Sequence, residues 1–339
     1  LNIKRELDKD VLTAARERIA HIWDTCDSIA VAFSGGKDSL VVLHLALDEA
    51  KRRGTLPLRV VFRDEELIPN EVIDFVDSYR RRDDIAMDWY AVPLKSTKFV
   101  LGRTMDYIQW DPSRPWVRQK PNWAISDSSG QVFDQYTMDA FCARDMKGKV
   151  CLLNGIRADE SPVRLRACLN KMNECYISAT ASKRVVLGKP IYDWKADDVF
   201  RFLWERKITY CPFYDRQQMS GADLRISTPI HSENAKRISN LRVQDPEFYD
   251  RVLQVFPDMA TQDRYWKDYS QDAIVQAYSD GWDGILRYID ENLEGQQWEM
   301  ARRKVEGLRK AAVKRPDWFP LNQVLRWVIR GGFKRSFRC

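Results

Sequence analysis

SIAVAFSGGKDSLVVLHLALDEAKRR, residues 28–53, holds three consecutive signals. Ser28–Phe33 is a short apolar run, the pattern of a strand buried on both faces. Asp38–Arg53 carries apolar residues at helical spacing, and Gly54 ends it. Between them stands Ser34-Gly35-Gly36-Lys37-Asp38-Ser39. Glycines let a backbone turn tightly and approach a phosphate with no Cβ in the way. The helix that follows aims free N–H groups and its positive dipole end at such an anion. Lys37 adds a point charge, and Ser34 and Ser39 add hydroxyl donors. Two familiar phosphate loops are excluded. Val31 stands where a Walker loop needs glycine, and Asp38 where it needs Ser or Thr. The G-x-G-x-x-G dinucleotide turn is absent here. A Gly-Gly pair can serve as a turn alone, but strand, loop, lysine and helix in this order favour phosphate binding.

Outward from this stretch, strands and helices alternate. Asp10–Trp23 reads as an amphipathic helix, Leu58–Phe62 as a second buried strand, and Pro69–Arg82 as a helix with proline at its start. Ala86–Val92, Val150–Gly155 and Val185–Tyr192 follow as strands. The expectation is an α/β fold, a doubly wound parallel five-stranded sheet with right-handed crossovers. Its ligands should bind outside the carboxyl ends of the strands, where the 34–39 loop falls. From Lys195 onward strand signals vanish. Helices are expected over Asp197–Arg206, Ser232–Arg242, Pro246–Phe256, Gln271–Ser279, Trp282–Leu293 and Gln296–Lys314. The pattern thus predicts a domain over 1–195 and a helical, basic domain over 196–339. Residues 103–148 form a long irregular insertion, a length that usually covers a site or binds something.

With 44% hydrophobic and 31% charged residues, the 339-residue chain is neither disordered nor fibrous. No run of about 18 uncharged apolar residues occurs, so no membrane span is expected. Leu1–Asp10 is charge-rich and lacks an apolar core, so no signal peptide is expected either. Seven cysteines (26, 142, 151, 168, 175, 211 and 339), odd in number and irregular in spacing, argue for a reducing, cytoplasmic setting. Residues 299–339 hold twelve Lys/Arg against three Asp/Glu, so the rest of the chain is slightly acidic. Such a basic end suits an anionic partner, nucleic acid first, or is a solvated basic helix.

Several segments, in order, resemble one family. AVAFSGGKDSLVVLHLAL (30–47) looks like the pyrophosphate loop of the N-type ATP pyrophosphatases, of the adenine nucleotide alpha-hydrolase superfamily. Within them it is similar to the phosphoadenosine phosphosulfate (PAPS) reductase group. Arg63-Asp64-Glu65 is an acidic turn after the second strand. Gly155-Ile156-Arg157-Ala158-Asp159-Glu160-Ser161, with Arg164 and Arg166, matches a G-x-R-x-x-E-S…R segment. Lys189-Pro190-Ile191-Tyr192-Asp193-Trp194 and Tyr210-Cys211-Pro212-Phe213-Tyr214 match its P-x-x-D-W and Y-x-P-x-Y elements. Gln109-Trp110-Asp111-Pro112…Trp116-Val117-Arg118 is similar to predicted PAPS sulfurtransferases, and the wider group also includes the ATP pyrophosphatases of Dnd- and Ssp-type DNA phosphorothioation. The resemblance implies ATP bound by Ala32, Phe33, Ser34, Gly35, Gly36, Lys37, Asp38, Ser39, Asp64 and Gly155. It implies catalysis by Lys37, Asp38 and Arg157, a substrate held by Arg157, Glu160 and Arg164, and Mg²⁺ bridging the phosphates with help from Asp38. Cleavage of ATP to AMP and pyrophosphate would adenylylate an oxyanion. For Arg157 and Arg164 the alternative is surface pairing with Asp159 and Glu160. Asp193-Trp194 reads as a structural corner with Trp194 in the core.

The chain also departs from that pattern. True PAPS reductases carry an E-C-G-L-H segment whose Cys takes the sulfo group; here the sequence ends Lys334-Arg335-Ser336-Phe337-Arg338-Cys339. Cys339, beside basic residues, is an alternative nucleophile. Without a C-x-x-C or Cys-Cys pair, the cysteines argue against an iron–sulfur cluster, for which Cys142, Cys151, Cys168 and Cys175 would be the ligands. His21, His44 and His231 have no zinc spacing, and His44 reads as core. Trp110, Arg114, Trp116, Arg118, Lys120 and Trp123 interleave aromatic and basic residues, as a strand-stacking surface does. Trp318, Arg326, Trp327, Arg330, Lys334 and Arg335 repeat the mix; packing onto the sheet is the alternative. The expectation is therefore an ATP pyrophosphatase that activates DNA for phosphorothioate modification, with a sulfur donor such as a cysteine desulfurase as partner. The rivals are a sulfonucleotide reductase or sulfotransferase, and an ATP-binding subunit without turnover.

Overall fold

The computed structural model describes residues 8–127, 129–161, 164–165, 168, 176–221, 224–269, 271–315, 318–329, 331–334 and 337. Arg166, Cys175, Arg330, Arg335 and Cys339 lie outside the described residues. The strands are β1 (Ser28–Ala32), β2 (Leu58–Arg63), β3 (Ile85–Tyr90), β4 (Leu94–Val100), β5 (Arg103–Gln109), β6 (Val150–Leu153), β7 (Ile177–Ala179) and β8 (Val185–Gly188). The main sheet runs β3-β2-β1-β6-β8-β7. Every neighbour pair in it is parallel except β7 with β8. The fold is thus the expected mixed α/β one. The short antiparallel strand β7 makes the sheet six-stranded rather than five-stranded. Its three residues are too short for a periodic signal.

Strand alternation sorts the core into two faces. Val31, Val60, Phe62, Trp89, Cys151 and Leu153 join one apolar cluster. Their chain neighbours Ala30, Val61, Tyr90, Val150 and Leu152 join the other. Helices α1 (Val11–Thr25), α2 (Lys37–Arg53) and α3 (Asn70–Arg80) supply the first face, with Ile19, Leu40, Leu43 and Val72. Met138 and Cys142 of α4 (Gln135–Cys142) supply the second, with Phe133. The insertion is therefore not wholly irregular, and part of it completes the core. β4 and β5 pair antiparallel, with Val100 opposite Arg103. The two residues between them, Leu101 and Gly102, have φ of 41° and 83°. That is a two-residue hairpin turn with both centres at positive φ, encoded by Leu-Gly rather than the usual Asn-Gly.

Helices α5 (Ala196–Glu205), α6 (Phe213–Met219), α7 (Ser232–Ala235), α8 (Ile238–Gln244) and α9 (Pro246–Val255) follow. The helix expected over Ser232–Arg242 is thus two. Val199, Phe202, Leu203, Leu241 and Phe248 belong to the first-face cluster. For that reason the chain divides into compact units 1–260 and 261–339, not near residue 195. The second unit has its own core, in which Ile285, Ile289, Val305, Val324 and Val328 meet. There Arg302, Arg309 and Arg326 pair with Asp290, Asp283 and Asp272, so part of the basic charge is balanced locally. No helix among the described residues is long and apolar enough to cross a membrane.

Candidate functional site

The chain runs from β1 to β2 on one side, while β6 lies on the other. The 34–39 loop therefore sits at the end of β1, where strand order reverses and open α/β sheets bind ligands. Gly35 has φ of 76°, and a Cβ there would lie 2.9 Å from Val76 Cγ2. Gly155, beyond β6, packs onto the loop's exit: a Cβ would fall 2.6 Å from Asp38 C and Ser39 N. Gly155 thus acts by close backbone approach. Ser39 Oγ donates to Gly36 O at 2.9 Å and accepts Ser34 N at 3.2 Å. The two hydroxyls lie 3.1 Å apart. Ser39 braces the turn from within. Ala32 ends β1, and Phe33 turns inward onto Phe75 and Tyr79, so its side chain is core.

Gly36 caps α2 without a side chain, which leaves the first N–H groups to outside acceptors. One is taken: Lys37 N donates to the Tyr214 hydroxyl at 2.9 Å. Burial pushes the Tyr214 phenol well up, so it keeps its proton. A hydroxyl that accepts the loop N–H can still donate to an anion. Sequence reading found the Y-x-P-x-Y element but gave Tyr214 no role; the signal was its fixed place in that element.

Lys37 Nζ donates to Asp38 Oδ2 at 2.8 Å. Arg157 Nε approaches Asp38 Oδ1 at 2.6 Å, out of hydrogen-bond alignment. Both atoms are buried without a hydrogen bond. Arg157 is 4% exposed and held by Asp159 Oδ2 at 3.0 Å and Trp194 O at 3.4 Å. Trp194 is buried and donates to Val11 O, the structural corner expected of it. Lys37, Asp38 and Arg157 thus come together. Arg157 pairs with Asp159 as well, but from a buried position. Glu160 pairs with Arg164 and accepts Arg157 N at 3.3 Å. Burial lowers the Arg164 pKa, and the nearby guanidiniums of Arg225 and Arg157 lower it further.

Asp64 is elsewhere. Its carboxylate is sealed by Arg118 and by Trp89 Nε1 at 2.8 Å. Burial pushes its carboxyl up, with Arg118 pulling the other way. The structure thus turns this expected ATP-binding carboxylate toward the insertion. Its neighbour Glu66, fully buried, takes Arg114 on both oxygens at 2.7 Å, and Val117 N at 3.0 Å. Of the aromatic residues in the insertion, Trp110 is buried and Trp116 and Trp123 are exposed. Lys120 lies over Trp116, and Arg80 over Trp123.

Magnesium does not fit Asp38, because cations already face both carboxylate oxygens. Among the described residues no group of three or more His, Cys, Asp or Glu could hold a metal ion. Cys142 and Cys151 lie on opposite faces of the sheet. His44 donates to or accepts from Tyr79 OH at 3.0 Å, and burial holds its pKa down at about 4. It is a neutral packing group.

Comparison with known proteins sets this geometry in a family. The chain is 30% identical over 263 residues to the uncharacterized protein YbdN of Escherichia coli strain K12, covering 72% of this chain and 64% of that one. The chain thus spans less than two thirds of that relative. FMN adenylyltransferase of Candida glabrata, solved with ATP, superposes over 62% of each chain with 12% identity and a TM-score of 0.39. PAPS reductase of Candida auris does so over 60% of this chain and 84% of that one, with 15% identity and a TM-score of 0.33. The phosphoadenosine phosphosulfate reductase domain matches residues 28–252, from the first residue of β1 into α9. The chain belongs to the phosphoadenosine phosphosulfate reductase domain family.

Proposed function

We propose that the chain is an ATP pyrophosphatase that adenylylates an oxyanion in sulfur metabolism, with DNA activated for phosphorothioate modification as the specific case. The observation that carries the reading is the 34–39 loop. Its buried Lys37 and uncapped helix start stand beside an Asp38–Arg157 pair with unmet hydrogen-bonding capacity.

In this reading ATP places its β- and γ-phosphates on the loop. An acceptor oxygen attacks the α-phosphorus and forms a new P–O bond. The bond from that phosphorus to the bridging oxygen breaks, and pyrophosphate leaves with the electron pair. The loop N–H groups and Lys37 stabilise the charge that develops on the leaving group, as preorganised donors do. Tyr214 keeps its proton and donates a hydrogen bond to a phosphate oxygen. Arg157 holds Asp38 away from the phosphates. A sulfur nucleophile then expels AMP from the adenylylated acceptor. Trp116 with Lys120 and Trp123 with Arg80 support a nucleic acid substrate, since exposed aromatic–cation pairs suit stacked bases. The test is ATP turnover with and without DNA. Stimulation lost in a Trp116→Ala, Trp123→Ala double variant is the expected result; turnover indifferent to DNA removes DNA as the substrate.

A further inference from the structure

A cavity of about 460 Å³ opens at the carboxyl end of β2, within the first compact unit. Arg63, Glu65, Gln109, Arg164, Arg225 and His231 line it. We propose that this cavity holds the acceptor, and that the acceptor is a phosphate or sulfate ester about one nucleotide in size. The assignment rests on the reading of the 34–39 loop as the ATP site.

Three observations carry it. Gln109, at the end of β5, is 2% exposed, and its Oε1 has no hydrogen bond. Its Nε2 reaches Tyr107 OH at 3.4 Å. A buried amide oxygen without a donor is costly, so a donor on a ligand in this cavity would be held there. Among the described residues no carboxylate pairs with the Arg225 guanidinium, whereas Arg63 and Arg164 are paired with Asp139 and Glu160. A guanidinium free to make a fork matches phosphate or sulfate. Glu65 carries the cavity's carboxylate; it accepts Thr228 Oγ1 at 2.7 Å and has no cation partner among the described residues.

Together these select the ligand. Arg225 takes an anionic oxygen, and Glu65 and Gln109 take hydroxyl or amino hydrogens. A bare anion would leave the Gln109 oxygen without a donor and face Glu65, so the fit is an ester with a polar body. The volume lies within the range of about 300–1,000 Å³ for small-molecule pockets. One nucleotide unit fits this description, either free or at the end of a strand.

The experiment separates these sources and the loop's own role. Binding is measured with the loop saturated by α,β-methylene ATP, whose own affinity is recorded for each protein. The probes are thymidine 5′-monophosphate, a 5′-phosphorylated oligothymidine, and both without phosphate; a pyrimidine avoids the adenine site. Phosphate-dependent binding is expected, weakened about tenfold or more by Arg225→Ala, in line with a lost charge-assisted hydrogen bond. Gln109→Met should weaken the same probes, with α,β-methylene ATP affinity kept within about twofold, a margin under 0.5 kcal/mol. Binding of the oligothymidine alone makes the source a strand end, and binding of the monophosphate makes it a free nucleotide. Equal binding of the phosphate-free probes, no binding of either phosphate probe, or indifference to Arg225→Ala overturns the proposal. Failure of wild type to bind α,β-methylene ATP would instead overturn the loop reading.

Discussion

Two buried clusters of carboxylates and guanidiniums lie on neighbouring loops and differ in one respect. At the start of the insertion, Glu66 meets Arg114 through both oxygens and also accepts two backbone N–H groups, Trp110 N and Val117 N. Asp64 meets Arg118, Trp89 Nε1 and Glu66 N. At the phosphate loop, Asp38 Oδ1 and Arg157 Nε are close together, yet neither has a hydrogen bond. Buried charge is tolerated when its hydrogen bonds are complete, and breaking such a set is costly. In the first cluster every carboxylate oxygen is hydrogen-bonded, which pins the insertion to β2. In the second, Asp38 Oδ1 accepts no hydrogen bond and is met only by the misaligned Arg157 Nε at 2.6 Å.

The comparison is broken most severely at Glu66. Glu66→Ala leaves Arg114 without its carboxylate and two N–H groups unpaired, and should cost about 3–5 kcal/mol of stability, read as a lower urea midpoint. Lys37→Ala should act chiefly on turnover. Pyrophosphate formation should fall by about 10²–10³, the usual loss for a donor to developing charge, with the urea midpoint lowered less than by Glu66→Ala. Gly155→Ala tests the packing of the second cluster. Its methyl group meets the backbone of Asp38 and Ser39, so a strain of about 1–3 kcal/mol is expected, with weaker ATP binding read by calorimetry. Tyr214→Phe is the mildest. It removes one hydrogen bond to Lys37 N, worth about 0.5–1.5 kcal/mol, and should raise the Kd for ATP a few-fold without unfolding.

The same contrast explains what the sequence made legible. The 28–53 stretch reads directly because strand, turn and helix are local, and each residue type has one job. The trio Lys37, Asp38 and Arg157 follows from the resemblance of two separate motifs to the family, and the fold joins its members. Asp64 carries the expected acidic signal after β2, but its partner Arg118 is far along the chain, so its sealing was invisible. Glu66 gave no signal, since a buried acid looks like any other until Arg114 is placed beside it. Tyr214 and Gln109 owe their roles to contacts across the fold rather than to pattern. The unit boundary at 260 was missed because α5, α8 and α9 look like a separate helical run until their apolar faces meet the sheet.

The most direct measurement separates the products formed from ATP. Wild type and Lys37→Ala are incubated with ATP and DNA, and AMP with pyrophosphate is resolved from ADP with orthophosphate. The account predicts AMP and pyrophosphate from wild type and about 10²–10³ less from the variant. ADP and orthophosphate as products, or pyrophosphate release that survives loss of Lys37, would contradict it.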